Sequence, residues 1–366
     1  MEEIRVRPLK VKELKAYIDS QEFEESAVLP ISRHRALSHI ENPRAQPDDV
    51  ILVLVYFNNK MEAYLGVLPD ELHFKEGTYR VGWLSCMWVN PILRGKGIAK
   101  RLIQTVFDAW DHRILVTEFT VAAKGLYDYT KQFVDLAQPV GVRGYLRFNW
   151  SELLPKRDEK WQKWKPVLQL SDALLNIPNS LRLALHKKQS NVVAEQVTTI
   201  DEASWQFIHS RKSGELMNRN QAEIEWIYNN PWLKEGPEDK DSKRYHFSSV
   251  ANRFQFIYLK VKEGEELIGF LLLSVRDQNV KVPYAYFDKE NASKMFEVIR
   301  QYLFDFKANM LTVFHPDLVT YIQENKTPFY LKRNFQRHYI VTKEFAPFLS
   351  TNPLRIQDGD ADCSFT

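Results

Sequence analysis

The sequence predicts a mixed α/β protein built as two similarly ordered lobes, and three observations carry that expectation. The chain has 366 residues, about twice a typical domain of ~150 residues. Short β-branched apolar runs alternate with stretches of helical spacing along its length. The order of these segments begins again near Val192, with little residue identity between the halves. Hydrophobic residues are 44 % and aromatics 13 % of the chain, enough for two cores, and 27 % charged residues excludes wholesale disorder.

The first half opens with a strand, Ile4 to Arg7, and two helical segments, Val11 to Ser20 and Ser32 to Asn42, the second closed by Pro43. Val50 to Phe57 and Met61 to Leu68 read as a hairpin around Asn58-Asn59, stopping at Pro69-Asp70. Val81 to Val89 is nearly all apolar, as in a central strand covered on both faces. Ile98, Leu102, Ile103, Val106 and Phe107 form one stripe of a helix from Ile98 to Trp110. A strand from Ile114 to Val121, a helix from Lys124 to Leu136 and a strand from Tyr145 to Phe148 follow. Val167 to Leu185 mixes leucines with polar residues at helical spacing around Pro178. Its polar face is not basic, so it reads as a connector packed between lobes rather than a membrane-surface helix.

In the second half, Val193 to Thr199 is a strand, and Glu202 to Lys212 and Gln221 to Asn229 are helices. Phe254 to Val261 and Leu267 to Val275 form a hairpin, and Val280 to Phe287 is a strand. A helix from Ala292 to Phe306, a strand from Met310 to Phe314, a helix from Leu318 to Glu324 and a strand from Tyr339 to Thr342 complete the order.

The charge balance is 50 Lys+Arg against 47 Asp+Glu, a net +3. That speaks against a basic nucleic-acid binder and against a general pull to membranes. Two cysteines, Cys86 and Cys363, cannot staple a secreted scaffold or build a zinc cluster alone. The first residues lack the apolar core of a signal peptide. The longest apolar run, Val50 to Phe57, is far short of the ~18 residues of a spanning helix. The expectation is a cytoplasmic protein with neither nucleic acid nor membrane as partner.

Among only 13 glycines, Gly95 and Gly97 stand where a strand gives way to a helix, in Cys86-Met-Trp-Val-Asn-Pro-Ile-Leu-Arg-Gly-Lys-Gly-Ile-Ala-Lys-Arg-Leu. Glycines let the backbone approach a ligand without a Cβ in the way. The unpaired N–H groups of a first helical turn favour anions, and Arg94, Lys96, Lys100 and Arg101 add positive charge. Together they predict a pyrophosphate-sized anion site. Neither Gly-x-x-x-x-Gly-Lys-Ser/Thr nor Gly-x-Gly-x-x-Gly is present.

This stretch resembles the GNAT superfamily of acetyltransferases. The Arg/Gln-x-x-Gly-x-Gly/Ala signature matches at Arg94, Gly97 and Ala99, Val-x-Pro precedes it as Val89-Asn90-Pro91, and Ala-x-x-Leu-Tyr follows as Ala123 to Tyr127. The resemblance implies two GNAT-like lobes joined by a helical connector. It implies residues 1–150 as the acyl-CoA-binding catalytic domain, 151–190 as the connector, 191–346 as a degenerate lobe and 347–366 as a tail. It further implies acetyl-CoA as co-substrate, no metal, and direct transfer without a covalent enzyme intermediate. The amides of Gly95, Lys96, Gly97, Ile98 and Ala99, with Arg94 and Lys100 beside them, would hold the pyrophosphate. Met87, Trp88 and Val89 would hold the pantetheine arm.

Some positions depart from the family pattern. Val81 to Val89 contains no carboxylate base, Thr120 stands where asparagine is frequent, and Phe133 comes six residues after Tyr127. Direct transfer needs an amine made neutral and a thiolate given a proton. Tyr127 is the family-matched proton donor; its other reading is a half-buried helix tyrosine. Glu118, at the end of the row Ile114, Val116, Glu118, is the local candidate base; the commoner reading is a solvated strand-end glutamate, and a water chain could serve instead. His34, His39, Arg33, Arg35 and Arg44 read as a solvated helix face or as a frame for an anionic acceptor. Asp358, Asp360 and Asp362 imitate the start of a calcium loop whose twelfth position falls past the last residue. The second half has no matching signature, and its corresponding turn, Phe287 to Lys294, places acids where phosphate would sit. An acyl-CoA N-acyltransferase with an amine acceptor is the leading function. The alternatives are a non-catalytic acyl-CoA-binding or sensing protein, and a tandem transferase of aminoacyl groups to a cell-wall precursor.

Overall fold

The computed structural model describes residues 4–74, 77–186, 192–349 and 355–365. The chain begins with β1 (Ile4–Lys10), α1 (Val11–Ile18), α2 (Gln21–Glu25), α3 (Arg33–Ile40), β2 (Val50–Phe57), β3 (Lys60–Phe74) and β4 (Gly77–Val89). Then come α4 (Ile98–Ala109), β5 (Ile114–Val116), α5 (Val121–Thr130), β6 (Phe133–Ala137), β7 (Val140–Tyr145), α6 (Trp150–Arg157) and α7 (Lys165–Leu185). The next elements are β8 (Val193–Val197), α8 (Glu202–His209), α9 (Gln221–Asn229), β9 (Lys234–Glu235), α10 (Lys240–Arg244) and β10 (Val250–Ala251). The chain closes with β11 (Phe254–Glu263), β12 (Glu266–Arg276), β13 (Asn279–Phe287), α11 (Ala292–Asp305), β14 (Met310–Val313), α12 (Pro316–Glu324), β15 (Leu331–Gln336) and β16 (Tyr339–Thr342).

Two compact units form, each assembled from separate stretches of chain. One comprises Met1–Pro139, Lys212–Phe254 and Arg337–Thr366; the other comprises Val140–Arg211 and Gln255–Gln336. Each unit is built on a seven-stranded sheet. The first runs β1-β2-β3-β4-β5-β16-β6, and the second, read from its far edge, runs β8-β11-β12-β13-β14-β7-β15. The fourth and fifth strands are parallel in both, β4 with β5 and β13 with β14. The expected repeat of topology is therefore present, with one exchange: the sixth strand of each sheet comes from the other half of the sequence.

The boundary expected at residue 150 accordingly does not follow the sheets. The strand expected over Tyr145 to Phe148 lies earlier, as β7 (Val140–Tyr145), which pairs with β14 and β15, while β16 pairs with β5 and β6. A short strand's pattern tells which of its faces is buried and not which sheet receives it. Segment 212–254 likewise belongs to the first unit. The stretch 151–190 is helical as expected through α6 and α7, which belong to the second unit. Residues 187–190 of it lie outside the described residues, as do 350–354 and 366 of the expected tail.

Other elements also differ from the expected ones for physical reasons. β3 runs on through Pro69-Asp70, because its pairing with β2 ends at Gly66 and Pro69 lies against β4 alone. The helix expected to Leu136 ends at Thr130, where Lys131 turns left-handed, and Phe133–Ala137 becomes a strand. β15 went unread because Leu331–Gln336 is a polar edge strand with almost no burial.

The core of the first unit lies on both faces of its sheet. Val53, Leu65, Val67 and Ile114 pack on the expected α4 stripe, while Leu52, Leu54 and Tyr64 pack with residues of α1 and α3. The second unit has one large core in which Leu271, Val282 and Val313 meet Met295, Phe296 and Ile299 of α11.

Candidate active site

In the first sheet, β4 and β5 pair at Gly82 with Ile114, Trp83 with Leu115 and Leu84 with Val116. Pairing stops there, because β5 ends at Val116 while β4 continues to Val89. A left-handed residue comes two positions after the last pair on each side: Cys86 within β4 has φ 55, and Glu118 in the bend after β5 has φ 50. On β4 this is a bulge, with one extra residue between the pairs Tyr64–Trp88 and Gly66–Ser85. Opposite it, a Cβ on Gly66 would lie 2.8 Å from the Ser85 carbonyl oxygen, so only glycine fits. The strands part like an opened zip, and the edge of β4 from Cys86 to Val89 faces a gap.

A cavity of about 120 Å³ fills the opening, lined by Leu84 to Met87, Val116 to Thr120, Ala123, Tyr127, Phe247 and Asp362. Thr120 caps α5 by accepting from the Ala123 amide at 3.2 Å, which fixes how the helix presents Tyr127. The Tyr127 ring is 4 % exposed and wedged edge-on against Phe119 and Phe133. Among the described residues its hydroxyl has no hydrogen-bond partner. Burial raises its pKa well above that of a free tyrosine, so it is protonated at neutral pH.

Asp362 enters from the last described turn of the chain and accepts a hydrogen bond from Ser85 Oγ at 2.5 Å. Burial pushes its carboxyl above the ordinary range, against the Ser85 hydrogen bond and with the help of the Glu118 charge. Beside it, the free thiol of Cys86 accepts from Arg35 Nη1 at 2.6 Å, and Arg35 Nη2 donates to Ser85 Oγ at 3.0 Å. Glu118 lines the same cavity, but its carboxylate is paired with Arg337 Nη2 at 2.8 Å. Arg337 is itself buried and also holds the Asp358 carboxylate and, at 3.1 Å, the Asp358 carbonyl.

Beyond Val89 the chain makes a short turn, Pro91–Leu93, and reaches the two glycines. Gly95 and Gly97 have φ 82 and 76, and a Cβ on either would meet nothing within 4 Å. Their requirement for glycine is thus conformational, and the space beside them is open. Gly97 caps α4, so the first-turn amides of Ile98, Ala99 and Lys100 have no acceptor within the helix. Arg94, Lys96 and Lys100 are exposed around them, and Lys96 Nζ lies 5.2 Å above the Phe57 ring. The result is an open, positively charged amide cradle at the outer end of the β4 edge.

Residues 15–128 match the model of the acetyltransferase (GNAT) family. They form a GNAT domain. No curated protein matches the chain by sequence. The whole chain has the fold of solved GNAT structures. N-myristoyltransferase from Saccharomyces cerevisiae with bound myristoyl-CoA superposes with a TM-score of 0.53 at 11 % identity, covering 93 % of this chain and 83 % of that one. A GCN5-related N-acetyltransferase from Anabaena variabilis superposes with a TM-score of 0.51 at 8 % identity, covering 92 % of this chain and 72 % of that one.

The GNAT match runs from α1 into α5 and so contains the glycine loop, the β4 edge and Tyr127. It contains neither Asp362 nor Phe247, which the fold brings to the same cavity. Of the pantetheine candidates, Met87 lines the cavity, Trp88 stacks on His246 at 4.6 Å, and Val89 packs on the core. Glu118 reaches the cavity from a bend and not from the strand row expected for it, since β5 stops at Val116. The basic residues near α3 scatter. Arg44 is buried against Asp70 and Glu223, Arg33 pairs with Glu24 and Asp241, and His34 meets the Trp232 carbonyl. His39 is buried and stacks on Trp232 at 5.3 Å. Only Arg35 of this group touches residues of the cavity wall.

Proposed function

We propose that this protein is an acyl-CoA-dependent N-acyltransferase that moves a short acyl group, acetyl first, to an amine by direct transfer. The observation that carries the reading is the convergence at the parted strands. One cavity joins the open β4 edge to a buried proton donor and a carboxyl group, with the glycine loop beyond them. The pyrophosphate would rest on the amides of residues 95 to 99 with Arg94 and Lys100 beside it, and the pantetheine arm along Met87, Trp88 and Val89. The thioester would then reach the cavity.

In the transfer, the amine nitrogen attacks the thioester carbonyl carbon and forms the C–N bond. The C–S bond breaks, Tyr127 gives its proton to the departing thiolate, and the amine proton passes to a carboxylate. Of the two carboxyl groups present, Asp362 is the base in this reading, because Glu118 is engaged by Arg337. Glu118 would then serve by holding Arg337. A short acyl group is the first choice because the cavity, at about 120 Å³, is smaller than the ~150 Å³ cavity that accepts benzene.

The test is release of CoA thiol from acetyl-, butyryl- and myristoyl-CoA with a panel of amines. Amine-dependent release, fastest with acetyl-CoA, supports the reading. Calorimetric binding of acetyl-CoA with no thiol released by any amine would make the protein a binding module. The second unit would not bind CoA, because its corresponding turn has no glycine and its Asp288 is paired with Arg211 at 2.6 Å.

A further inference from the structure

Helix α7 is amphipathic in reverse. Its polar residues face the unit it belongs to. Asp172 accepts from the amides of Trp150 and Ser151 at 2.8 and 2.9 Å, capping α6, and Asn179 donates to the Leu146 carbonyl at 2.7 Å. Asn176 closes a second pair with Phe148, accepting from its amide at 3.0 Å and donating to its carbonyl at 2.8 Å. Leu168 and Leu183 are buried beside them. The apolar residues a single globular chain would tuck inside instead face outward: Val167, Leu170, Leu174, Ile177, Leu181 and Leu185 are 55 to 82 % exposed.

Their spacing carries the inference. Val167, Leu170, Leu174, Ile177 and Leu181 follow one another at intervals of three, four, three and four residues, the spacing of a seam between two helices. Beside the seam stand Pro166, Ala173, Ser180 and Ala184 on one side and Ser171 and Pro178 on the other, all small and uncharged, so a second helix can come close. No charged residue stands on this outward face from Pro166 to Leu185; the helix's charges are Lys165 at its start, Asp172 inside and Arg182 held by Asn179. A helix lying on an anionic bilayer needs a row of Lys and Arg on its polar face, and two basic residues do not make one.

We propose that this face of α7 is a self-association surface whose occupant is α7 of a second copy of the chain. At the exposures above, the six apolar residues leave roughly 700 Å² uncovered per copy. A symmetric pair would cover roughly 1,400 Å², within the ~1,200–2,000 Å² of specific interfaces, whereas single exposed apolar patches on monomers rarely exceed a few hundred Å². A regular 3-4 seam fits its own image, which is the geometry a two-fold dimer requires. Pro178 lies beside the seam and leaves its register unbroken.

Sedimentation equilibrium of the full chain between about 1 and 100 μM tests this. A monomer–dimer equilibrium is expected, with dimer dominant at tens of micromolar. Leu174→Glu with Leu181→Glu puts two charges on the seam and should raise the dissociation constant at least a hundredfold. Both positions are exposed, so far-UV circular dichroism should not change. Gln169→Glu adds a charge to the same helix away from the seam and should leave the dimer intact. A wild-type chain that stays monomeric at 100 μM overturns the proposal, as does a dimer indifferent to the double substitution. Monomer that floats with vesicles of phosphatidylcholine and phosphatidylglycerol through the same leucines would overturn it too, by making the partner a lipid surface.

Discussion

Asp362 and Tyr127 stand 235 positions apart in the sequence and line one cavity, and the proposed transfer gives them opposite proton roles. Burial among aromatic rings holds Tyr127 protonated, which suits the donor role proposed for it. Asp362 is more basic than a free carboxylate, so it can accept one from the amine. Tyr127→Phe should therefore lower kcat by roughly 10²–10⁴-fold, and Asp362→Asn by a similar factor, since each removes one partner of general acid–base catalysis. Calorimetry should find acetyl-CoA affinity nearly unchanged in both, and a kcat equal to the parent's would make the residue structural. The double variant should lose far less than the product of the two, because the groups serve one step. Tyr127 was legible in the sequence because the Ala123 to Tyr127 element is local. Asp362 was not. The aspartates at 358, 360 and 362 read as one cluster, yet each finds its own partner: Arg337, the Gln357 amide and Ser85.

The glycine loop and α4 behave as one element, and here sequence and structure agree closely, because a tight turn, a cap and an amphipathic stripe are all short-range features. Gly97→Val would force a β-branched residue to φ 76, costing roughly 1–2 kcal/mol. The space around it is empty, so the chain should fold. Its Cβ branch would stand in the open space where the proposed function places the pyrophosphate. Losing one or two charge-assisted amide contacts at roughly 1.5–3 kcal/mol each predicts acetyl-CoA binding weaker by about tenfold to several thousandfold. Unchanged affinity by calorimetry, in a variant whose melting temperature has dropped only a few degrees, would show that the pyrophosphate lies elsewhere. Long apolar runs such as β2 were equally legible. The exchanged strands β7 and β16 were not, because pairing between residues about 200 positions apart leaves no local trace.

Across the whole molecule, that exchange changes what can be cut. A fragment of residues 1–150 would carry β7, whose partners are β14 and β15, and would lack β16, which sits between β5 and β6. Its sheet would end at β5 with an exposed edge, so it should aggregate or unfold without cooperativity. What ties the three stretches of the first unit together is a buried ionic network. Arg44 and Arg219 both pair with Asp70 of β3, Arg44 also pairs with Glu223 of α9, and Arg219 Nε lies 3.8 Å from Asp360. Asp360 accepts from the Gln357 amide at 2.9 Å and so closes the turn that leads to Asp362. Burial raises its carboxyl to about 7, against Arg219 and with the help of the Glu215 charge. In the unfolded chain it would titrate near ~3.9. Between those values the folded state holds the proton and the unfolded state does not, so stability is full below about pH 4 and falls as pH rises towards 7. The slope from this one group can reach about 1.4 kcal/mol per pH unit. Asp360→Asn keeps the shape and cannot ionise. Melting temperatures at pH 5, 6, 7 and 8 should therefore fall more steeply for the parent than for the variant, with the gap widest at pH 7 and above. Parallel curves would mean that Asp360 is ionised throughout, held by Arg219, and that the chain end is pinned by an ion pair rather than by a neutral carboxyl group.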